Sequence, residues 1–245
     1  MNISDYTKLS PNLETISVIL PSFNERENIE EAINRISKTL GDQLSEIIIV
    51  DDDSPDGTWK IVKELNHEKV NLIHRTKERG LASALATGVD ASKGDIVVWL
   101  DCDLGIPPEE IINLIAQLET NDVSIGSRYI ENGSDTRSQW ITFSSTILNK
   151  FAQLILSKDV KDYTSGFIAV KRDVLNHVKI NPEGFGEYFI EFCYRCLQKN
   201  YKVVEYGYLY GNRKGGVSKS TDSLLVFLAL GWKYIIKIIS LKLEK

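Results

Sequence analysis

Cysteine is scarce in this sequence, and its scarcity limits the compartment and the kinds of site that the chain can form. The 245 residues include three cysteines, too few for a disulfide framework, which indicates a reducing compartment. Cys193 and Cys196 form a Cys-x-x-Cys pair, but no second pair completes a zinc site, so we expect plain burial. Residues 1–14 are polar and have no apolar run, so we expect no secretory leader.

Positive charge is scarce in the first 212 residues. The net charge of the chain is −5, yet residues 213–245 hold seven basic and two acidic residues and carry +5. The first 212 residues therefore carry −10, which argues against nucleic acid as a partner. A basic, apolar tail favours a surface that bears phosphates, such as a membrane. No Gly-x-Gly-x-x-Gly follows any apolar run, which excludes a dinucleotide-dependent oxidoreductase.

The first two-thirds of the chain alternates strand patterns with helix patterns. Strands are predicted at residues 16–20, 47–50, 71–73, 95–100 and 123–126. Helices are predicted at residues 58–66, 81–92 and 109–118, after a first helix that Asn24 would cap. This alternation implies right-handed crossovers and an α/β, Rossmann-like fold with a mainly parallel sheet flanked by helices.

Two aspartates follow the most apolar of these strands. Residues 96–100 read Ile-Val-Val-Trp-Leu, and Asp101 and Asp103 come directly after them. Ligands of open α/β sheets bind at the carboxyl ends of the strands. A pair of fixed carboxylates suits Mg²⁺ or Mn²⁺, which prefers oxygen ligands and readily adds phosphate oxygens. The loops at residues 21–25, 51–58 and 127–129 should reach the same edge, although residues 54–57 also read as an ordinary turn.

Residues 224–241 form a long apolar stretch that is compatible with three arrangements of a helix. Lys233 and Lys237 interrupt it, and each would cost about 2.5–3.5 kcal/mol at a bilayer centre. Trp232 and Tyr234 suit a headgroup boundary. We therefore expect an amphipathic helix that lies in a membrane interface. Packing on its own domain or on a sister chain, and a true membrane span, are the alternatives.

Six motifs between residues 16 and 220 resemble those of the inverting family 2 glycosyltransferases, in particular the dolichyl-phosphate mannose synthases and their glucosyl relatives. They are residues 18–29 (VILPSFNERENI), 48–58 (IIVDDDSPDGT), 94–104 (GDIVVWLDCDL), 126–129 (GSRY), 162–167 (DYTSGF) and 213–219 (RKGGVSK). The resemblance implies a GT-A-type catalytic domain over residues 1–220. Residues 221–245 would then be a membrane-associating helix.

The resemblance also implies a role for each matched residue. The nucleotide sugar would be held by Pro21, Phe23, Glu25, Val50, Asp52 and Cys102, with Asp101 and Asp103 also binding the metal. Arg128, Arg213 and Lys219 would gather the diphosphate and the acceptor phosphate, and they complete the catalytic set. The acceptor site would include Arg137, Ser145, Thr164 and Ser165. Glu191 matches an acidic position of the family.

Three positions depart from the family pattern. Gly105 and Ile106 stand where the family usually has a polar residue and a histidine. Ile141 stands where it often has an arginine, four residues before Ser145, and Arg137 is the expected substitute. The Gln-x-x-Arg-Trp motif of processive polysaccharide synthases is absent, which favours transfer of a single sugar.

Resemblance and chemistry together predict transfer of one hexose from a nucleotide sugar to a dolichyl or other polyprenyl phosphate, with inversion. An attacking phosphate monoester has a second pKa near 6 and is already anionic at neutral pH, so no strong general base is needed. The absence of the three histidines, His67, His74 and His177, from every motif fits this chemistry.

Several alternatives remain open at this point. The expected donor is GDP-mannose, and the rival enzymes use UDP-glucose or act on a glycan or protein acceptor. A catalytically silent subunit that binds nucleotide or lipid is the non-enzymatic alternative. We expect peripheral attachment to the cytoplasmic face of a membrane. A homo-oligomer or a small membrane-anchor subunit is compatible with the sequence.

Overall fold

A seven-stranded sheet forms the centre of the protein in a computed structural model that describes residues 14–211 and 224–244, with side chains from residue 231 onward in the second segment. The strands are β1 (Ile16–Ser22), β2 (Leu44–Asp51), β3 (Val70–His74), β4 (Ile96–Trp99), β5 (Val123–Ser127), β6 (Ser134–Asp135), β7 (Ile168–Lys171), β8 (Val203–Gly207) and β9 (Leu209–Tyr210). The helices are α1 (Ile29–Leu40), α2 (Thr58–Leu65), α3 (Leu81–Ala91), α4 (Glu110–Ala116), α5 (Gln139–Ile155), α6 (Arg172–His177), α7 (Glu187–Gln198) and α8 (Leu224–Leu243).

The order of strands in the sheet is β3-β2-β1-β4-β7-β5-β8. Every pairing in it is parallel except those of β7, which runs antiparallel to both β4 and β5. The predicted mainly parallel sheet flanked by helices is therefore confirmed. A separate two-stranded parallel ribbon joins β6 to β9.

The sheet separates two apolar cores because its strands are buried on both faces. Val18, Leu20 and Val98 pack with α1, α2 and α4 on one side. Ile19 and Trp99 pack with α3, α7 and α8 on the other side. Such continuously apolar strands are typical of parallel sheets covered by helices on both faces.

The first helix begins later than the sequence predicted. Asn24 has a left-handed backbone (φ 56°), and its N–H donates to Ser54 Oγ at 3.0 Å. Helix α1 starts at Ile29, with Asn28 as the N-cap residue. The prediction of Asn24 as the cap was wrong because the contact with Ser54 uses that residue to shape the loop instead.

Helix α8 packs on its own domain through one of its faces. Ile238 and Leu241 are buried in the core that α7 also enters, and Lys237 Nζ lies 2.8 Å from Glu191 Oε2. Among the helices that the structure describes, none combines the length and the apolar character needed to cross a bilayer. The predicted division at residues 220–221 falls outside the described residues and stays a prediction.

Candidate active site

A cavity of about 360 Å³ opens at the carboxyl edge of the sheet, where β1, β2 and β4 end. Because β7 runs antiparallel to β4, the segment just before it also reaches this edge. Ten residues predicted for the site line the cavity: Pro21, Phe23, Glu25, Asp52, Asp101, Cys102, Asp103, Arg137, Thr164 and Ser165. Residues that are up to 144 positions apart in the sequence therefore meet in one place.

Five predicted residues are not part of the cavity lining that the structure describes. Val50 is fully buried in β2 and packs in the core below the cavity. Arg128 and Ser145 stand behind Thr164, whose side chain both of them contact. Arg213 and Lys219 lie outside the described residues, and their roles stay predictions.

The loop after β4 holds the two aspartates in fixed positions. Asp103 is 1% exposed, and its Oδ1 accepts the Gly105 N–H at 2.9 Å. Cys102 Sγ donates to the Pro21 carbonyl at 3.3 Å and so ties this loop to β1. A Cβ on Gly105 would lie 3.1 Å from Asp103 Oδ1, and the side chain of Ile106 is buried in the core. The departures at Gly105 and Ile106 from the family pattern therefore have a local packing reason.

The donor set of this loop fits a hard divalent cation that shares its shell with a substrate. In the described part of the chain, no group of three or more histidine, cysteine or acidic side chains is placed to enclose a metal. Asp101 and Asp103 nevertheless line the same cavity. Mg²⁺ typically binds through one or two carboxylates plus substrate phosphates and water, rather than in an all-protein cage. These two residues would hold such an ion together with a diphosphate.

Asp52 is oriented by Arg75, a residue that the sequence analysis missed. Arg75 Nε donates to Asp52 Oδ1 at 2.7 Å, and the Gly80 N–H donates to Oδ2 at 2.8 Å. Arg75 is itself buried and also donates to Ser83 Oγ at 3.1 Å. Arg75 follows β3 at the carboxyl edge of the sheet. The expectation that residues directly after a parallel strand lie near the ligand could therefore have identified it.

Arg128 is a buried ion-pair residue that organises the part of the cavity lined by Thr164. Its Nε and Nη2 each lie 2.8 Å from a carboxylate oxygen of Asp162, and Nη2 donates to the Thr164 carbonyl at 2.9 Å. Burial disfavours the charged guanidinium, but Asp162 outweighs burial and raises the pKa of Arg128 well above its usual range. Arg128 therefore stays charged and fixes the position of Thr164.

Helix α5 holds Thr164 in place through two of its polar side chains. Ser145 Oγ lies 3.1 Å from Thr164 Oγ1, and Asn149 Nδ2 donates to the same oxygen at 3.0 Å. Asn149 Oδ1 also accepts the N–H of Tyr163 at 2.7 Å. The predicted acceptor residue Ser145 thus acts on Thr164 rather than on the cavity surface.

An aromatic wall that the sequence analysis did not predict closes the cavity. It consists of Phe185, Tyr188, Phe189, Tyr210 and Tyr234. Burial raises the pKa of Tyr188 well above its usual value, and the nearby Asp101 carboxylate adds to that shift. Tyr234 belongs to α8, so the C-terminal helix forms part of this wall. No sequence pattern indicated this position of Tyr234, because the packing of α8 depends on tertiary contacts.

Glu191 lies outside the cavity and holds α8 against α7. Its carboxylate accepts hydrogen bonds from Asn181 Nδ2 at 3.0 Å, Arg195 Nε at 2.7 Å and Lys237 Nζ at 2.8 Å. Burial raises the pKa of Glu191, but the hydrogen bonds from Lys237, Asn181 and Arg195 outweigh burial and hold the pKa below its usual value. The acidic position of the family motif is here a structural ion pair.

The mainly parallel sheet, with a carboxylate pair, an aromatic wall and fixed arginines at its carboxyl edge, fits a glycosyltransferase of the GT-A type. The model of the family described as "Glycosyl transferase family 2" matches residues 17–179. This chain belongs to glycosyl transferase family 2, as its motifs predicted.

Curated relatives and solved structures agree with this assignment. The chain is 40% identical over 212 residues to a dolichol-phosphate mannosyltransferase of Pyrococcus furiosus. The aligned region covers 83% of this chain and 58% of that protein. It is 31% identical to the polyprenol monophosphomannose synthase of Mycolicibacterium smegmatis, covering 89% of this chain and 85% of the relative. A glucosyl-3-phosphoglycerate synthase of Mycobacterium tuberculosis, solved with Mn²⁺ and UDP, superposes with a TM-score of 0.72 at 22% identity. The superposition covers 93% of this chain and 79% of the synthase chain. The likeness shows that the two proteins share a fold.

Proposed function

We propose that this protein transfers a single mannose from GDP-mannose to dolichyl or another polyprenyl phosphate, with inversion at the anomeric carbon. Membership of family 2 and the names of the relatives at 40% and 31% identity support this activity. The cavity at the carboxyl edge supports it independently, because its residues suit a diphosphate, a divalent cation and a second phosphate.

One observation carries the assignment of a lipid acceptor: the two helices that border the acceptor end of the cavity both present exposed apolar stripes. Helix α5 contacts Thr164 from one side, and its outer side exposes Trp140, Phe143, Ile147 and Leu154. Helix α8 contributes Tyr234 to the cavity and exposes Trp232, Ile236, Ile239 and Leu243. The two helices contact each other. A phosphate that enters between them would have its apolar chain beside apolar protein surface.

The donor end of the cavity would bind the nucleotide. Asp52, held by Arg75, is a fixed acceptor for the N–H groups of a nucleobase or the hydroxyls of a ribose. Phe23 lies beneath Arg79, whose guanidinium carbon is 5.5 Å from the ring centre, and both line the cavity. A divalent ion held by Asp101 and Asp103 would stabilise the negative charge that develops on the leaving diphosphate.

The acceptor end would orient a phosphate for in-line attack. Arg137 lines this end together with Thr164, and its guanidinium can donate hydrogen bonds to phosphate oxygens. The attacking group is anionic at neutral pH because the second pKa of a phosphate monoester is near 6, so the protein need not remove a proton. The aromatic wall would limit the access of water, which would otherwise compete as the nucleophile.

The exposed stripes also support peripheral attachment to a membrane, and the cytoplasmic face remains the expectation from the sequence. Trp140 and Trp232 suit the headgroup boundary. Lys233 and Lys242 of α8 are exposed, and each basic residue near an anionic surface adds about 1 kcal/mol of attraction. Of the arrangements considered from the sequence, this one combines two: α8 packs on its own domain through one face and would contact lipid through the other.

Nucleotide binding is the first test of this proposal. Thermal unfolding is measured with GDP or UDP, each with and without Mn²⁺, and a ligand at 100 times its Kd adds about 2.7 kcal/mol of stability. We expect GDP with Mn²⁺ to raise the Tm more than UDP does, and Asp103→Asn to abolish the Mn²⁺-dependent part. A larger shift with UDP would replace GDP-mannose by a uridine donor. No shift with either nucleotide would contradict the transferase proposal.

A further inference from the structure

Arg137 is the arginine of the acceptor end whose guanidinium borders the cavity. Its side chain is 28% exposed, and it lines the cavity together with Thr164 and Ser165. The guanidinium carbon lies 5.0 Å from the ring centre of Tyr210, another lining residue. A long side chain in such a position would lose rotamer freedom on binding a phosphate unless something already held it.

Asp135 binds the Arg137 guanidinium in a bidentate arrangement. Arg137 Nε lies 2.9 Å from Asp135 Oδ1, and Nη2 lies 2.6 Å from Oδ2. The Arg137 N–H also donates to Oδ1 at 3.1 Å. The Asp135 side chain is 2% exposed. These bonds use Nε and Nη2, so the remaining terminal nitrogen, Nη1, points away from Asp135.

The ribbon of β6 and β9 fixes Asp135 in turn. Asp135 pairs with Tyr210 in that ribbon, and the Thr136 N–H and Oγ1 both donate to the Tyr210 carbonyl, at 3.2 Å and 2.9 Å. The ribbon thus sets the carboxylate and the aromatic ring on either side of the Arg137 guanidinium. A rigid support of this kind holds a binding group in place before the ligand arrives.

Charges alternate along a row that ends at the cavity. Asp162 pairs with Arg128, Arg128 Nη1 lies 3.9 Å from Asp135 Oδ2, and Asp135 pairs with Arg137. Burial raises the pKa of Asp135, but Arg137 outweighs burial and holds the pKa below its usual value, so the carboxylate is ionised at neutral pH. The row is neutral as a whole, and Arg137 is its member at the cavity surface.

We propose that Asp135 is a positioning residue, which aligns the Arg137 guanidinium for the acceptor phosphate and so sets the affinity for the acceptor. This inference rests on the proposed function, because it takes the second phosphate of the reaction as the ligand of Arg137. Asp135 would not touch either substrate. Its effect would pass mainly through Arg137, which it binds at two points, because Arg128 lies 3.9 Å away and is itself held by Asp162.

The test compares two changes that separate geometry from charge. Asp135→Asn keeps the shape and removes the charge, whereas Asp135→Glu keeps the charge and moves the carboxylate by one methylene. Initial rates are measured with a short polyprenyl phosphate as the acceptor and with GDP-mannose plus Mn²⁺ as the donor. Alignment predicts that both variants raise the KM for acceptor by about threefold or more, with the KM for donor unchanged.

A matched control and a double variant complete the experiment. Glu109 binds Arg35 by the same two-point geometry, and neither residue lines the cavity, so Glu109→Gln should leave both KM values unchanged. Arg137→Lys should add little to the Asp135→Asn variant, because residues that act through each other are not additive.

The two proposals fail in different ways. An unchanged KM for acceptor in Arg137→Ala would remove Arg137 from the acceptor site and contradict that part of the proposed function. A raised KM in Arg137→Ala with normal values in both Asp135 variants would overturn the positioning role alone. Equal losses toward donor and acceptor, with a lowered Tm, would also overturn it, because they would indicate a general loss of structure.

Discussion

Asp103 serves both the backbone of its loop and the cavity. Its Oδ1 accepts the Gly105 N–H, and the residue lines the cavity beside Asp101. Asparagine keeps an oxygen for the Gly105 N–H but carries no charge, so this substitution separates the structural contact from the predicted metal contact.

We expect Asp103→Asn to reduce hexose transfer in Mg²⁺ or Mn²⁺ by at least about a hundredfold, because a bound metal contributes several kcal/mol of charge stabilisation. The Tm without ligand should remain close to that of the parent. Transfer rates and thermal unfolding measure the two effects. Asp42→Asn, an exposed change in the turn before β2, is the control and should alter neither. Full activity of Asp103→Asn in both metals would refute the metal assignment.

Some of the residues that sequence reasoning found follow predicted strands, whereas Arg137, Thr164 and Ser165 came from the family resemblance. Asp52, Asp101 and Asp103 all come directly after apolar runs, and the edge rule placed them together. Arg75 follows β3 in the same way but was missed, because that strand was predicted to end at residue 73. Tyr234 was assigned to a headgroup boundary, since a helical pattern does not tell which face meets the domain.

Among the elements, the strands were the easiest to predict and the packing of helices was the hardest. Apolar runs of four to eight residues located β1, β2, β4 and β5, because both faces of these strands are buried. Strands β7 and β8 were not predicted, and the antiparallel direction of β7 depends on which neighbours that strand meets. Helix α8 was expected in a membrane interface, yet one of its faces packs on α5 and α7.

The contact between α8 and α7 should weaken at low pH. The folded pKa of Glu191 is depressed, so its stabilising effect is present above the unfolded value and is lost as the pH falls through the folded value. We compare the Tm of the parent with that of Glu191→Gln between pH 7 and pH 3. The parent should have the higher Tm at pH 6–7, and the difference should shrink below about pH 4.5.

Glu183→Gln is the control for this measurement. Glu183 is an exposed acidic residue in the loop before α7, so its Tm difference from the parent should stay near zero at every pH. A difference between the parent and Glu191→Gln that does not change with pH would contradict the role of the ion pair with Lys237.

In the whole molecule, the two helices that carry the exposed stripes, α5 and α8, pack on the same side of the sheet, and Tyr234 of α8 lines the cavity. Trp99 and α3, α7 and α8 share one core, whereas α1, α2 and α4 cover the opposite face. A domain arranged in this way can hold its cavity against a lipid surface while α1 faces away from it. The membrane proposal therefore concerns one side of the molecule.

We expect Phe143→Glu combined with Ile236→Glu to release the protein from anionic liposomes. Both side chains are exposed, so the changes should leave the Tm nearly unaltered. Flotation measures the binding, and activity should fall on a long-chain polyprenyl phosphate far more than on a short, water-soluble one. Asn34→Glu places a similar charge on the exposed surface of α1 and should still float. Unchanged flotation of the double variant would show that the stripes do not bind lipid.

Product formation from defined substrates tests the central claim most directly. The protein is incubated with Mn²⁺, a polyprenyl phosphate and labelled GDP-mannose or UDP-glucose, and the lipid fraction is analysed for labelled hexose and its anomeric configuration. We expect β-linked mannosyl phosphopolyprenol from the α-linked GDP-mannose, with less product from UDP-glucose and none without the lipid phosphate. Nucleotide binding without labelled lipid from either donor would contradict it, because the protein would then be a silent binding subunit.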